Sequence, residues 1–471
     1  MERVCVVGAG LVGSLLSNFL AREGYDVHLF DRQSDPRRGR RSSGRSINLT
    51  ICERGFAALD RVGAGDRVRE ISVPCHGRYI HSVDGTVDYQ PYGNRSEAIH
   101  SVARNELNDV LIDMALAQRG IHVHFEEKCL EVDLETPEVT FQNLRTNDVT
   151  RFRADRVFGA DGANSRVRAA MQLVPGFRQR QEFFEQAYKE ISVPPSASGD
   201  WALPAGIHIW PRRHYMLIGF PNRDRTFTFA LHMPFEGEPS FSSIRTPEAL
   251  LELFRRSFPD ALPYVPNLIE DYFGRPESKM ITVRCAPWVY DEKVALIGDA
   301  AHAIVPSYGQ GANCGFEDCS VLYDCLQAAG GDWGKTLRDF EASRKPNADA
   351  IADLALEHFH ELRDFVGSSE FLLRKELERW VNELYPDRYA PLYSLISFTN
   401  VPYAEAMRQD HEQRTLVDRL LKVPDVREKL GSPEVREMVD AFMLSVPHGS
   451  EVTSPCPEVT SPRLGSEFPV P

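Results

Sequence analysis

A Rossmann-like α/β fold with a second, antiparallel β-sheet and a C-terminal helical region is predicted by three observations. The first thirty residues read as strand, glycine-rich turn, helix and strand, the order of a βαβ unit. A block over about 183–233 is strand-rich and turn-rich, with the alternation of an antiparallel sheet. From Gly315 to about residue 430 the pattern is mostly helical.

Taken in order, Val4 to Val7 is a β-branched run, Gly8-Ala-Gly-Leu-Val-Gly13 a turn, and Leu15, Leu16, Phe19 and Leu20 mark the buried face of a helix. Gly24 ends it, and Val27 to Phe30 forms the next strand, closed by Asp31. The segments His76 to His81 and Val87 to Tyr92, joined through Asp84-Gly85, predict a hairpin of the second sheet. A helical pattern over Asn105–Gly120 and a strand over Ile121–Phe125 lead into a meander reaching Val157, a return to the first domain. Strands at Gly206–Trp210, Tyr215–Ile218 and Thr226–Leu231 extend the second sheet, and Val294–Asp299 is another buried strand. The expected organisation is a discontinuous first domain (1–72, 100–180 and 281–340), a β-sheet domain (73–99 and 181–280), a helical region (341–430) and a disordered Pro/Ser/Glu-rich tail (445–471).

Composition narrows the class. With 42% hydrophobic and 26% charged residues in 471, the chain can bury a sizeable core and is neither fibrous nor disordered. A net charge of −14 without a basic cluster argues against a nucleic-acid partner. The nine cysteines are scattered, odd in number and free of C-x-x-C pairs, which suits reduced thiols in the cytoplasm and gives no metal-ligand spacing. Cys314, Cys319 and Cys325 approximate one helical face, where core packing accounts for them. No secretory signal is present, and the longest apolar stretch, Val294 to Val305, contains Asp299 and His302, so no membrane span is expected.

Gly8-x-Gly10-x-x-Gly13 between a strand and a helix, with Asp31 ending the next strand, is a dinucleotide fingerprint. Gly8 permits the tight turn, Gly10 lets backbone approach a pyrophosphate, and Gly13 allows helix–strand packing. The N–H groups at Leu11 and Val12 face the phosphates, and Asp31 accepts from a ribose hydroxyl. Two further segments follow strands: Gly159-Ala-Asp161-Gly162-Ala-Asn-Ser-Arg166, and Gly298-Asp299-Ala-Ala-His302 leading into Val305-Pro306 and Gly309-Gln310-Gly311.

That trio, in that order, resembles the flavoprotein aromatic hydroxylases. Gly44-Arg-Ser-Ile-Asn-Leu49, Gln90-Pro-Tyr-Gly93, Tyr188-Lys-Glu190 and His208-Ile-Trp-Pro211 bring the resemblance, from residue 3 to about residue 410, to the kynurenine 3-monooxygenase family within it. The resemblance implies FAD as cofactor, NADPH as a transient co-substrate without a Rossmann domain of its own, and O2. Asp299 would hold the ribityl chain, Asp161 would shape the FAD and nicotinamide contacts, and Arg32, Arg104, Thr50, Cys129, Gly311, Ala312 and Asn313 would complete the cofactor site. Pro306, Tyr308, Gly309 and Gln310 would shape the flavin face, where the helix they enter aims backbone N–H groups at the pyrimidine end. No residue beyond the flavin is expected to carry the oxygen transfer, which would proceed through a flavin C4a-hydroperoxide.

The same resemblance implies a small aryl amino acid as substrate, with Arg78 gripping its carboxylate and Tyr92 and Tyr393 hydrogen-bonding that end. A guanidinium suits a carboxylate clamp because it pairs both oxygens in one plane. From the residues alone, Arg78 could equally be a surface ion-pair arginine and the tyrosines core residues. His302 reads as structural. The chain departs from the family pattern at Ser307, Tyr308 and Ala312, and His358 and Leu362 stand where the family has asparagine and methionine beside the substrate. The expected reaction is C3 hydroxylation of L-kynurenine to 3-hydroxykynurenine. The departures leave open a substituted kynurenine or related aryl amino acid of secondary metabolism, and an FAD oxidase on the same fold is a further alternative. Eukaryotic members carry a hydrophobic C-terminal anchor; none is seen past residue 430, which predicts a soluble cytoplasmic enzyme.

Overall fold

The computed structural model describes residues 1–37, 48–93, 96–365 and 368–445. The tail expected to be disordered therefore lies outside the described residues from 446 onward, as do residues 44–47 of the Gly44–Leu49 segment.

The first layer is a six-stranded sheet in the order β18 (Val289–Tyr290), β19 (Val294–Leu296), β12 (Arg156–Gly159), β1 (Arg3–Val7), β2 (Asp26–Phe30) and β8 (Ile121–His124). All its pairings are parallel except the short β18–β19 edge. Strand β1 is hydrophobic at every position after Arg3 and buried on both faces, as a central parallel strand must be. Its faces are covered by α1 (Leu11–Arg22), α2 (Glu53–Arg61), α3 (Gly65–Ile71), α4 (Arg104–Ala117), α5 (Arg166–Met171), α8 (Asp299–His302) and α9 (Gly311–Ala328). The expected βαβ unit is present at its expected place.

The second layer is a seven-stranded sheet in the order β17 (Ser278–Ala286), β13 (Arg178–Val193), β16 (Phe227–Pro234), β15 (Met216–Pro221), β14 (Ile207–Pro211), β5 (Gly77–His81) and β6 (Val87–Pro91). The β5–β6 hairpin joins it by parallel pairing of Ile207 with Arg78. One face packs on α6 (Pro247–Ser257) and α7 (Leu268–Gly274), around Trp210, Phe229 and Phe254. The other face presents Ile80, Ile207, Ile209, Met216 and Ile218 to the C-terminal helices. These are α10 (Trp333–His360), α11 (Ser369–Leu384), α12 (Leu392–Ser397) and α13 (Tyr403–Leu420), while α14 (Pro433–Ser445) packs on α11 and α13 in a separate cluster.

Three placements differ from the sequence reading. Val73–Cys75, grouped with the hairpin, is instead β4 and pairs with β7 (Ile99–Ala103), which also pairs β3 (Asn48–Ile51), in a small sheet of its own. The meander after β8 forms a separate antiparallel sheet, β9 (Glu127–Asp133), β10 (Glu138–Asn143) and β11 (Val149–Arg153), stacked on the first layer through Phe141 and Phe30 at 4.0 Å. Finally, β17 belongs to the second sheet although residues from 281 onward were expected in the first domain. Strand character is legible in the sequence at the first two places but not at β17, and in all three the partner is chosen by burial at long range.

Candidate active site

The glycine turn is built by exclusion. Gly8 adopts φ 107°, and a Cβ there would stand 2.5 Å from the Ala160 carbonyl oxygen; one on Gly13 would stand 1.9 Å from that of Gly8. Glycine is required at both positions. A Cβ on Gly10 would meet nothing within 4 Å, so this is the open side of the turn. Gly10 caps α1 without a side-chain hydrogen bond, and no acidic residue occupies the first turn at Leu11 and Val12, which leaves donors and positive dipole facing the opening. Asp31 braces the turn: its Oδ2 accepts from Ala9 N–H and its Oδ1 from Gln33 N–H, both at 2.7 Å, and burial raises its pKa.

The three glycine-bearing segments converge here. Gly8 abuts Ala160 and Asp161, while Val12 packs against Gly298, where a Cβ would be 3.0 Å away, and against Gly315, where it would be 2.5 Å away. Asp161 Oδ2 accepts from Arg166 N–H at 2.6 Å, whereas its Oδ1 is buried without a hydrogen-bond partner. Burial raises this carboxyl's pKa and that of the neighbouring Cys129 thiol, the latter to about 12. Asp299, first residue of α8, is exposed on the rim, as is Arg32 after β2. Arg104 opens α4 and lowers the pKa of the half-buried Tyr188 from across the layers, although desolvation outweighs it.

A second arrangement surrounds the turn Pro306–Tyr308. Gly309 follows at φ 66°, and a Cβ on it would lie 1.9 Å from Thr50 Oγ1. Asn313 clamps three segments: its Nδ2 donates to the carbonyls of Thr50 and Gly309, both at 2.8 Å, and its Oδ1 accepts from Cys52 N–H at 3.1 Å. Gln310 is buried, its Oε1 accepting from Tyr403 O–H at 2.8 Å. Helix α9 begins at Gly311 and Ala312 with no acidic residue in its first turn. Ser307 donates to the Ala355 carbonyl and so ties the turn to α10.

Beside that turn lies an aromatic box. The rings of Tyr92 and Tyr393 stack at 4.9 Å, Tyr308 and His358 at 4.0 Å, and Tyr308 and Tyr393 at 5.9 Å. Burial pushes the Tyr393 phenol up to about 12 and raises that of Tyr92 well above its ordinary value, so both stay protonated donors. Arg78 projects from β5 with 9% of its surface exposed; its Nε donates to Gln90 Oε1 at 3.0 Å. No carboxylate among the described residues pairs with it, so the surface ion-pair alternative does not hold. Burial lowers the His358 pKa, and His358 Nδ1 lies 3.5 Å from Glu361 Oε1. Burial raises Glu361, but His358, Lys375 and Arg78 together outweigh it and hold the carboxyl at about 2. The box thus carries a buried cation and an anion at one end of a stack of rings.

A buried ionic chain joins these arrangements. Asp318 Oδ2 accepts from His302 at 2.6 Å and from Gly298 N–H at 3.1 Å, and its Oδ1 accepts from Arg344 Nε at 2.7 Å. Arg344 and Arg54 share Glu317, each at 2.5 Å, and Arg54 stacks on Tyr403 at 4.0 Å, returning to Gln310. His302 is structural, as expected, but as an ion-pair partner whose pKa Asp318 raises against the effect of burial.

The glycine cradle abuts the segment carrying the unpaired Asp161 oxygen and packs against α9, whose start follows the turn that holds Tyr308 of the aromatic box. The profile described as FAD binding domain matches residues 1–355. The kynurenine 3-monooxygenase of Flavobacterium johnsoniae is 43% identical over 93% of this chain and 98% of its own, and that of Myxococcus xanthus 41% identical over 94% and 96%. The chain belongs to the kynurenine 3-monooxygenase family. Among solved structures, 2-methyl-3-hydroxypyridine-5-carboxylic acid oxygenase matches with TM-score 0.63 at 23% identity, over 79% of this chain and 95% of that one. PqsL of Pseudomonas aeruginosa, described as "a probable FAD-dependent monooxygenase", matches with TM-score 0.62 at 18% identity, over 77% of this chain and 97% of that one. Both show the shared flavoprotein fold.

The residues fit the family's FAD: Gly10 leaves open the space a side chain would fill, and Asp161 Oδ1 is an acceptor without a partner. The sequence missed Glu361, whose only linear signal was proximity to His358, and named Gln90 only within the Gln90–Gly93 segment without a role at the polar end of the box. Among the described residues, no helix is long and apolar enough to cross a membrane.

Proposed function

We propose that this flavoprotein monooxygenase hydroxylates L-kynurenine at C3, ortho to the ring amino group, giving 3-hydroxykynurenine in the cytoplasm. The observation that carries the reading is Arg78, a buried guanidinium without a carboxylate partner among the described residues and within electrostatic reach of Tyr92 and Tyr393, in a chain 43% identical to a kynurenine 3-monooxygenase. FAD held by Gly8, Gly10, Leu11, Val12, Gly13, Asp31, Asp161, Asp299 and Asn313 would, with NADPH and O2, supply the oxygen atom.

The chain's own residues then have positioning tasks. Arg78 takes the substrate carboxylate in a planar pair, and Tyr92 and Tyr393, protonated at neutral pH, donate to the same end. Glu361, ionised, faces the α-ammonium group. The rings of Tyr308, His358 and Tyr393 hold the aryl group and exclude water, which limits loss of the oxidant as H2O2. Buried free thiols at the eight described cysteines support a reducing compartment.

One observation favours a second reading. His358 is stacked flat on Tyr308 and puts a bulky ring where the family has asparagine, which supports a substituted kynurenine as the native substrate. Both readings are tested by following NADPH and O2 consumption of the FAD-loaded protein with L-kynurenine and with ring-substituted kynurenines, and weighing the products. Turnover on L-kynurenine with a one-oxygen product is expected. H2O2 without oxygenated product on L-kynurenine, but not on a substituted analogue, selects the second reading.

A further inference from the structure

The sequence shows no metal-ligand spacing, because the residues that meet on the outer edge of the first sheet are drawn from segments nearly a hundred positions apart. Strands β2 and β8 pair in parallel with His28 opposite His122, and β8 is the edge strand. Asp26, His28, His122 and His124 alternate along these two strands and therefore project from one face.

Their geometry is that of a ligand set. Asp26 Oδ1 lies 3.2 Å from His122 Nε2, and Asp26 Oδ2 lies 3.5 Å from His28 Nε2. One atom from each of the three residues falls within 4.8 Å of the others. Two ligand atoms about 2.0–2.1 Å from a tetrahedral ion are themselves separated by about 3.3 Å, so the printed separations require little adjustment. The other ring nitrogen of His28 is also occupied: Nδ1 lies 3.0 Å from His124 Nε2, with the two rings parallel to within 6°. That contact fixes His28 with Nε2 toward Asp26, as an outer partner does for a metal-bound imidazole. Phe152 at 4.5 Å closes the other side of His28. Arg3 Nε, 3.6 Å from Asp26 Oδ2, is the present counter-charge; its side chain is 52% exposed and swings away at little cost.

We propose that Asp26, His28 and His122 form a binding site for a borderline divalent transition-metal ion of the zinc class, with His124 as the positioning residue and the remaining coordination position open to water. Two imidazoles and one carboxylate select such an ion over magnesium or calcium, which take oxygen ligands. The other cluster of potential ligands among the described residues, His302, Cys314 and Asp318, does not compete: Arg344 already occupies Asp318 and lies 3.3 Å from Cys314 Sγ. An ion at the β2–β8 edge would cross-link the edge strand to β2, and so stiffen the end of the sheet remote from the glycine turn.

The test uses untagged, FAD-loaded full-length protein freed of metal with a chelator that is then removed. Zn2+ is titrated by calorimetry, and Co2+ by its visible absorption. One equivalent is expected, with a Co2+ band of tetrahedral intensity and a raised thermal midpoint. His122→Ala, at a side chain 56% exposed and so tolerated by the fold, should weaken binding at least 10-fold, and His124→Gln about 10-fold. Asp26→Asn provides the carboxylate control. Binding of Zn2+ to His122→Ala and Asp26→Asn with the affinity of the unmodified protein, or no binding to any of them, would overturn the proposal.

Discussion

Arg78 separates two ways of losing a substrate. Replacing it with Met removes a charge-assisted pair, a loss that corresponds to a roughly 10- to 100-fold rise in KM for L-kynurenine. Arg78→Lys should recover part of this, since an ammonium keeps the charge but not the planar fork. Steady-state NADPH oxidation against kynurenine concentration checks both, and an unchanged KM in Arg78→Met would remove Arg78 from the carboxylate. The glycine turn allows a similar separation. Gly13→Ala drives a methyl into the Gly8 carbonyl, so both folding and flavin content should fall. Gly10→Ala points into open space, so the apo protein should melt as before while flavin absorbance per chain drops after desalting. Equal behaviour of the two variants would mean that the open side of the turn is not where the phosphates sit.

At the scale of elements, the chain His302–Asp318–Arg344–Glu317–Arg54 pins α8, α9, α10 and α2 together in a region closed to water. Arg344→Met leaves two carboxylates without their shared partner and should cost about 3–5 kcal/mol, read from urea unfolding. Acid has a related effect with a definite sign. Burial raises the Asp318 pKa, but His302 and Arg344 outweigh it and hold it at about 2, against an ordinary value of 3.8. A carboxyl held low in the folded state contributes stability above its ordinary pKa and loses it as pH falls toward the folded value. The urea midpoint should therefore be insensitive to this group near neutrality and drop between about pH 4 and 2. A midpoint that stayed flat over that range would show that Asp318 is not ion-paired.

The whole molecule brings residues of α13 back to the first third of the chain. Tyr403 donates to Gln310 and lies under Arg54, whose Nη2 donates to the Val401 carbonyl at 2.7 Å, so the C-terminal helices close directly on the turn beside the aromatic box. Tyr403→Phe leaves the buried Gln310 acceptor with only the weak Cys52 thiol at 3.8 Å and should lower stability by about 1–3 kcal/mol. Because the same contact holds the helices over the box, the fraction of NADPH oxidised without product should also rise, measured as H2O2 per NADPH. A stability loss with unchanged coupling would assign Tyr403 to packing alone.

The sequence by itself determined the βαβ opening, the glycine positions, the β5–β6 hairpin and the helical C-terminal region. These follow from forces acting within a few residues: the missing Cβ of glycine at Gly8 and Gly309, and the alternation or helical period of apolar side chains. Arg78, Tyr92, His358 and Tyr393 were legible through family resemblance, since nothing in their neighbours in the chain marks them. Only the tertiary structure decided that β4 leaves the hairpin for β7, that the meander stands as its own sheet, and that Glu361 lies beside His358 within electrostatic reach of Arg78. The same holds for Asp26 and His28 meeting His122 across a strand pair. Each of these depends on which distant surfaces exclude water together, and that choice is made by the summed burial of segments up to hundreds of residues apart.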